Sequence, residues 1–305
     1  MDAKAKILRS DLLLLIGAVI WGSTFVAQRY GSQHLGTFTF NAIRFGLGSI
    51  FLFPIFLLTA RKTDKAHQKP AGKHFIFGCF AAGTALFLGA CLQQAGIAYT
   101  TAGKAGFITG LYMVIVPMMG FFWQQKVELG TLFGVVLAAA GTYFLCISEQ
   151  FTIDKGDLLV LLSAIFWACH VQIIGWLSVR FDCIRVALFQ YIVCSVLSAA
   201  GALLTEEVVI ANIHSAIVPI MYAGILSTGI AFTLQVLAQR DSPPAHAAIM
   251  MSLETVFAAL GGYLVLGEVM TLRNMLGCAL ILTGMLMSQL SVRNAIQNAA
   301  SRPDL

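Results

Sequence analysis

The stretch DLLLLIGAVIWGSTF, Asp11–Phe25, decides the fold. One acid is followed by fourteen residues without a charge, and the apolar run continues to about residue 30. A helix needs about 20 such residues to cross the hydrocarbon core of a bilayer. The pattern then returns as DLLVLLSAIFWACHV, Asp157–Val171, which places Asp157 on Asp11 and Trp167 on Trp21 at an offset of 146. The same offset carries Arg44 onto Gln190 and Thr59 onto Thr205. Further on, Leu92–Gln93 maps to Leu234–Gln235 at 142, and Leu132–Gly134 maps to Met275–Gly277 at 143. The chain reads as two copies of one apolar unit, residues 1–150 and 151–305.

Composition supports a membrane setting. Of the 305 residues 58% are hydrophobic and 11% charged, with a mean hydropathy of +0.84. A soluble domain carries about 25% charged residues. The expected class is an all-α polytopic membrane protein. Ten candidate spans can be marked, at about 11–30, 38–60, 74–97, 102–123, 130–147, 157–177, 183–204, 214–236, 245–266 and 272–290. With a cytoplasmic start, inner segments hold 14 Lys and Arg and outer segments 3, with Arg44 and Lys104 inside spans, which accounts for all 19. That asymmetry follows the positive-inside rule and predicts two cytoplasmic termini in a bacterial inner membrane. The net charge of +5 therefore concerns loop orientation and does not point to nucleic acid. Lys4, Lys6 and Arg9 ahead of the first apolar run resemble a signal peptide. Trp21 and Phe25 stand where cleavage would need small residues, so a retained first span is expected.

Five spans per copy is an odd number. The second copy must then enter the membrane from the opposite face, giving an inverted repeat of the kind found in secondary transporters. The seven cysteines lie mostly in apolar runs without a Cys-x-x-Cys pair, which suits small packed side chains. No metal spacing and no motif for hydrolysis, group transfer or phosphate cradling is present, so neither a cofactor, a metal nor an enzymatic activity is expected.

Several stretches resemble the EamA-type branch of the drug/metabolite transporter superfamily: IWGSTFVAQ in span one, FNAIRFGLGSIFL in span two, TTAGKAGFITGLYMVIVPMMG in span four, and LETVFAALGGYLVLGEVMTLRNMLGCALILTGMLM over spans nine and ten. The resemblance covers essentially the whole chain. It implies ten helices, cytoplasmic termini, alternating access and transport of small metabolites, often outward. Two departures stand out. The family often has Leu-Glu-Pro in span nine, whereas Leu253–Thr255 is Leu-Glu-Thr, which predicts loss of a proline kink. Gln125 stands where the second copy has Glu268, so one carboxylate has no counterpart.

Polar groups inside apolar spans are the candidate site. Glu254 lies near the middle of span nine, where a charge costs roughly 2.5–3.5 kcal/mol on insertion scales. It reads either as a proton-coupling or amine-binding carboxylate, or as a structural acid bonded to a neighbouring helix. At an offset of 142 its counterpart is Tyr112, central in span four. Arg44 is six residues in from the outer end of span two, roughly 9 Å. It reads as a substrate contact or as a structural or snorkelling cation, and its counterpart is neutral Gln190. Lys104, at the outer start of span four, either snorkels to headgroups or meets a substrate carboxylate. Trp21 and Trp167 are central in their spans rather than at the interface, and read either as two rings approaching each other across a cavity or as plain helix packing. His170 shares a helix face with Trp167 and reads either as a proton partner for Glu254 or as a simply hydrogen-bonded helix histidine. Gln93, Gln94 and Gln235 are amides in apolar runs, suited to inter-helix hydrogen bonds, with Gln94 a further candidate contact. Ala102, Gly106 and Gly110 form a small-residue stripe for close helix packing, within the bundle or in a homodimer.

Three functions are open at this level. The first is a secondary transporter of small organic metabolites, with amino acids or related zwitterions favoured, export as its direction and protons as a possible coupling ion. The second is a membrane-embedded enzyme acting on a lipid intermediate. The third is a passive facilitator or channel.

Overall fold

A computed structural model of the chain describes residues 3–62, 72–125, 127–146, 155–267 and 269–300, and all regular structure among them is helical. Most of the polar loop Arg61–Lys73 lies outside the described residues, as does Glu268, the counterpart of Gln125.

Seven of the ten candidate spans are continuous α-helices: the first (Ala3–Gly31), second (Thr37–Lys62), third (Lys73–Ile97), fifth (Leu129–Cys146), sixth (Lys155–Ser178), seventh (Cys183–Thr205) and tenth (Leu272–Ala300). The fourth is split into Ala102–Gly110 and Tyr112–Phe122, and the ninth into Pro244–Met251 and Glu254–Leu266. The eighth begins as Ile217–Met221, winds as a π-helix over Tyr222–Phe232, and ends as Thr233–Gln239, with a short helix Ile210–Ser215 before it. Among the described residues nine helices are long and apolar enough to cross a membrane. The fifth, with 18 residues, spans about 27 Å and falls just short of the ~30 Å core.

The surface is inverted relative to a water-soluble globule. Phe122 is 89% exposed and Leu203 82%, while Asp11, Arg44 and Glu254 are each no more than 5% exposed. Apolar side chains outside and polar ones inside is the arrangement lipid favours, since lipid satisfies no hydrogen bond.

The two sequence copies interlock. Span one packs on spans eight and nine, span six on spans three and four, and span seven on spans two and three; span eight also packs on span two, and span five on span ten. Exchanging the copies by the sequence offset returns the same set of pairings. Spans five and ten meet backbone to backbone: a Cβ on Gly134 or Gly141 would lie 2.5 Å from the carbonyl oxygen of Gly284 or Gly277. Such close approach is how membrane helices gain dispersion contact. At the start of span two, the Glu206 carboxylate accepts hydrogen bonds from the backbone amides of Phe38 and Thr39, both at 2.8 Å. An acid at a helix N-terminus satisfies orphan donors and complements the helix dipole.

The breaks in spans four and nine fall at matching positions. Leu111 has φ −60° and ψ −16°, and Leu253 has φ −57° and ψ −18°, close to 3₁₀ values. Val114 donates to the Leu111 carbonyl at 3.0 Å, and Val256 to that of Leu253 at 3.0 Å, the three-residue reach of a tight turn. Leu111 and Val114 map onto Leu253 and Val256 at the offset of 142. Leu-Glu-Thr in place of Leu-Glu-Pro therefore does not straighten span nine, contrary to the sequence expectation. Ser252 Oγ donates to the Ile249 carbonyl at 2.7 Å and Thr255 Oγ1 to that of Ser252 at 2.8 Å. These side chains compete for the carbonyls a regular helix would use. The small-residue stripe of span four faces this region. A Cβ on Gly110 would lie 2.6 Å from Thr255 Cγ2, and one on Gly106 2.8 Å from Ala258 Cβ, so the stripe serves packing inside the bundle.

Candidate functional site

The breaks open onto a narrow central cavity with about 50 Å³ of space open to water-sized groups. Side chains from spans one, two, three, four, six, eight and nine line it. Six of the nine residues singled out from the sequence are on its wall: Trp21, Arg44, Tyr112, Trp167, His170 and Glu254. Gln94, Lys104 and Gln190 are not.

Glu254 sits in the first turn of the half-helix Glu254–Leu266, and Tyr112 opens the half-helix Tyr112–Phe122. Each lies at the positive end of a helix dipole. The Tyr112 hydroxyl lies beside the Glu254 carboxyl, and Glu254 Oε1 has no hydrogen-bond partner. Arg44 does not reach outward. It is 2% exposed, with its guanidinium 4.7 Å from the Phe45 ring centre and 5.8 Å from that of Phe40. No carboxylate pairs with it among the described residues, and its Nε has no partner.

Trp21 and Trp167 meet through a third ring. Phe232, from the π-helical segment, is 4.9 Å from Trp21 and 5.8 Å from Trp167, nearly parallel to the latter. Both indole N–H groups are buried without an acceptor. His170 Nε2 lies 2.7 Å from Gln190 Oε1, while its Nδ1 has no partner. The expected bond from His170 to Glu254 is not among those formed by the described residues. Gln190, the neutral counterpart of Arg44, thus acts on the cavity by orienting His170.

The remaining sequence candidates have structural partners. Gln94 Nε2 donates to the Gln28 carbonyl at 3.1 Å. Lys104 does not line the cavity: its Nζ is 2.5 Å from Asp157 Oδ2. That acid stands at the start of span six and draws the cation inward.

The amides Gln93 and Gln235 also line the cavity, while Gln28, Thr109 and Phe232 are wall residues outside the sequence candidates. Gln28 Nε2 donates to Gln93 Oε1 at 3.2 Å, and Gln93 Nε2 to Thr109 Oγ1 at 2.9 Å, forming a hydrogen-bonded polar strip on the wall. An amide amid apolar residues is the available signal for Gln28. Phe232 offers none, being one of 22 phenylalanines. Among the described residues, five polar atoms on the wall lack protein partners: Trp21 Nε1, Arg44 Nε, Trp167 Nε1, His170 Nδ1 and Glu254 Oε1. Buried polar groups are rarely left so in proteins, and here they converge on one space. Two wider grooves on the flanks of the bundle carry none of the unpartnered atoms. No cluster of three or more potential metal ligands exists among the described residues.

Comparison with known proteins agrees with this architecture. An uncharacterized transporter of Archaeoglobus fulgidus is 33% identical over 288 residues, covering 94% of this chain and 88% of its own. The uncharacterized transporter YoaV of Bacillus subtilis is 24% identical, over 88% of this chain and 93% of its own. A solved crystal structure superposes with a TM-score of 0.74 at 19% identity, covering 93% of this chain and 98% of that one. The model of the EamA-like transporter family matches twice, over residues 8–147 and 154–290. The chain belongs to that family, a branch of the drug/metabolite transporter superfamily, and is a multi-pass membrane transporter.

Proposed function

We propose that this chain is a secondary transporter that moves small organic metabolites outward across the bacterial inner membrane, amino acids or related zwitterions by preference. One observation carries the reading. A carboxylate, Glu254, and a guanidinium, Arg44, share one buried aromatic cavity without forming an ion pair with each other. A zwitterion offers the complementary charge to each. Its ammonium would meet Glu254, its carboxylate Arg44, and an apolar side chain the Trp21–Phe232–Trp167 wall. Desolvated charge-assisted contacts of this kind are roughly twice as strong as neutral ones.

Two opposed five-span copies rocking about this cavity would expose it alternately to each side. The matching breaks in spans four and nine, and the contact set that survives exchange of the copies, support such a movement. The charge bias of the loops supports cytoplasmic termini. A titrating Glu254 would couple transport to protons.

Purified protein in liposomes, offered a metabolite panel with and without a proton gradient, tests the proposal. Saturable uptake of zwitterions over singly charged or lipophilic compounds is expected. Uptake linear in concentration and indifferent to charge would favour a passive pore. Glu254→Gln with an unchanged pH profile between pH 5 and 8 would remove the coupling role.

A further inference from the structure

Two acid–base pairs stand at opposite ends of the bundle, one buried on both sides and one with a half-buried lysine, and the copy relation exchanges them. At one end, Asp11 Oδ1 of span one is 2.8 Å from His246 Nε2 of span nine. His246 Nδ1 is 2.9 Å from Ser288 Oγ, which bonds Thr131 Oγ1 at 3.2 Å, and Gln289 Nε2 donates to Asp11 Oδ2 at 3.0 Å. At the other end, Asp157 Oδ2 of span six is 2.5 Å from Lys104 Nζ of span four, and Thr100 Oγ1 donates to Asp157 Oδ1 at 3.0 Å. Asp11 maps to Asp157 at the offset of 146, and Lys104 to His246 at 142.

The ends are separate. Span one carries Asp11 near its start, whereas Arg29, some 27 Å further along the helix, donates to the carbonyls of Ile97 and Ala98 beside Thr100. The central cavity lies between. Trp21 and Trp167 each stand ten residues past their acid, and Tyr112 and Glu254 each stand eight residues past their base. That is about 15 Å and 12 Å of helix. Each base also rides on a short half-helix, Ala102–Gly110 or Pro244–Met251, that ends at a break.

We propose that Asp11–His246 and Asp157–Lys104 are the two gate latches of the central cavity, with those half-helices as the moving leaves. This rests on the alternating-access reading above. Each pair ties together the two spans that would have to part to open the cavity at its end. Both pairs are closed in this structure, which is the arrangement of an occluded state. The latches differ chemically: one base is lysine, the other a histidine held by a hydroxyl chain across spans five and ten. The two gates therefore release under unequal forces although their geometry matches.

One-sided accessibility tests the assignment. Thr24 lines the cavity, and its hydroxyl bonds only within its own helix, to Ile20. In a Thr24→Cys chain, labelling by a small membrane-impermeant thiol reagent is measured in vesicles of both orientations, over the labelling of the parent chain. Adding Asp157→Asn should raise labelling roughly five- to tenfold from the Asp157 face alone, and Asp11→Asn from the Asp11 face alone, as coupling of this order implies. A rise on the wrong face, on both faces, or on neither overturns the proposal. If an Asn variant does not accumulate in the membrane, Lys104→Met or His246→Gln breaks the same pair from the base side and should produce the same one-sided rise. One-sided rises in a chain that moves no panel metabolite would sink the transport reading and leave the latches standing. Transport without one-sided rises would do the opposite.

Discussion

Spans four and nine occupy equivalent places in the two copies and break at equivalent residues, yet they put different chemistry at the break. Span four offers Tyr112 and a glycine before the turn, and span nine offers Glu254 and Ser252. Backbone shape is thus shared while charge is not. Spans three and eight differ in backbone as well. Span three is a regular α-helix over Lys73–Ile97, whereas span eight carries eleven π-helical residues, Tyr222–Phe232. Such segments are rare and concentrate at functional sites. This one ends at Phe232, whose counterpart at the offset of 142 is Ala90. Under the proposed function, the residues that differ between the copies are the ones that would meet an asymmetric substrate.

The largest expected effect breaks the charge asymmetry. Glu254→Gln removes the wall's carboxylate and should weaken uptake of a zwitterion about 10- to 100-fold, the equivalent of ~1.5–3 kcal/mol for a charged hydrogen bond. Kd or KM from liposome uptake checks it, and an effect below twofold would place Glu254 outside substrate binding. Next is the contact between the two breaks. Gly110→Val should destabilise the protein by about 1–3 kcal/mol through overpacking against Thr255, seen as a lower Tm in detergent. Adding Thr255→Ala should recover part of it, because residues in contact couple. Additive shifts would mean the close approach is not what limits this position.

Tyr112→Phe tests the neutral member of the pair and should cost about 0.5–1.5 kcal/mol in binding, well below Glu254→Gln. Equal losses would make the two positions one hydrogen-bonded unit. The smallest effect is expected from Thr255→Pro, within about 1 kcal/mol in stability. Proline is tolerated in the first turn of a helix, and the break already exists. A severe loss would show that the 3.0 Å bond from the Thr255 amide to the Ser252 carbonyl holds the turn in place.

Much of the candidate site is legible because apolar surroundings make polar residues conspicuous. Trp21, Tyr112, Trp167, Arg44, His170 and Glu254 can be found from position and composition, and all six line the cavity. Lys104 is conspicuous for the same reason but belongs to a different contact, since sequence shows a charge without its partner. Phe232 and the π-turns that place it leave no trace, because one more phenylalanine in an apolar helix changes no pattern.

Sequence by itself determined the class of this protein. Hydropathy fixes which solvent surrounds the chain, and offsets between copies fix which residues are equivalent; both are one-dimensional properties. Only the tertiary structure decided where the spans break, which polar groups pair and which are left to face the cavity. Those outcomes depend on competition among carbonyls, hydroxyls and charges brought together from distant parts of the chain: Asp11 with His246, Lys104 with Asp157, and Phe232 between two tryptophans.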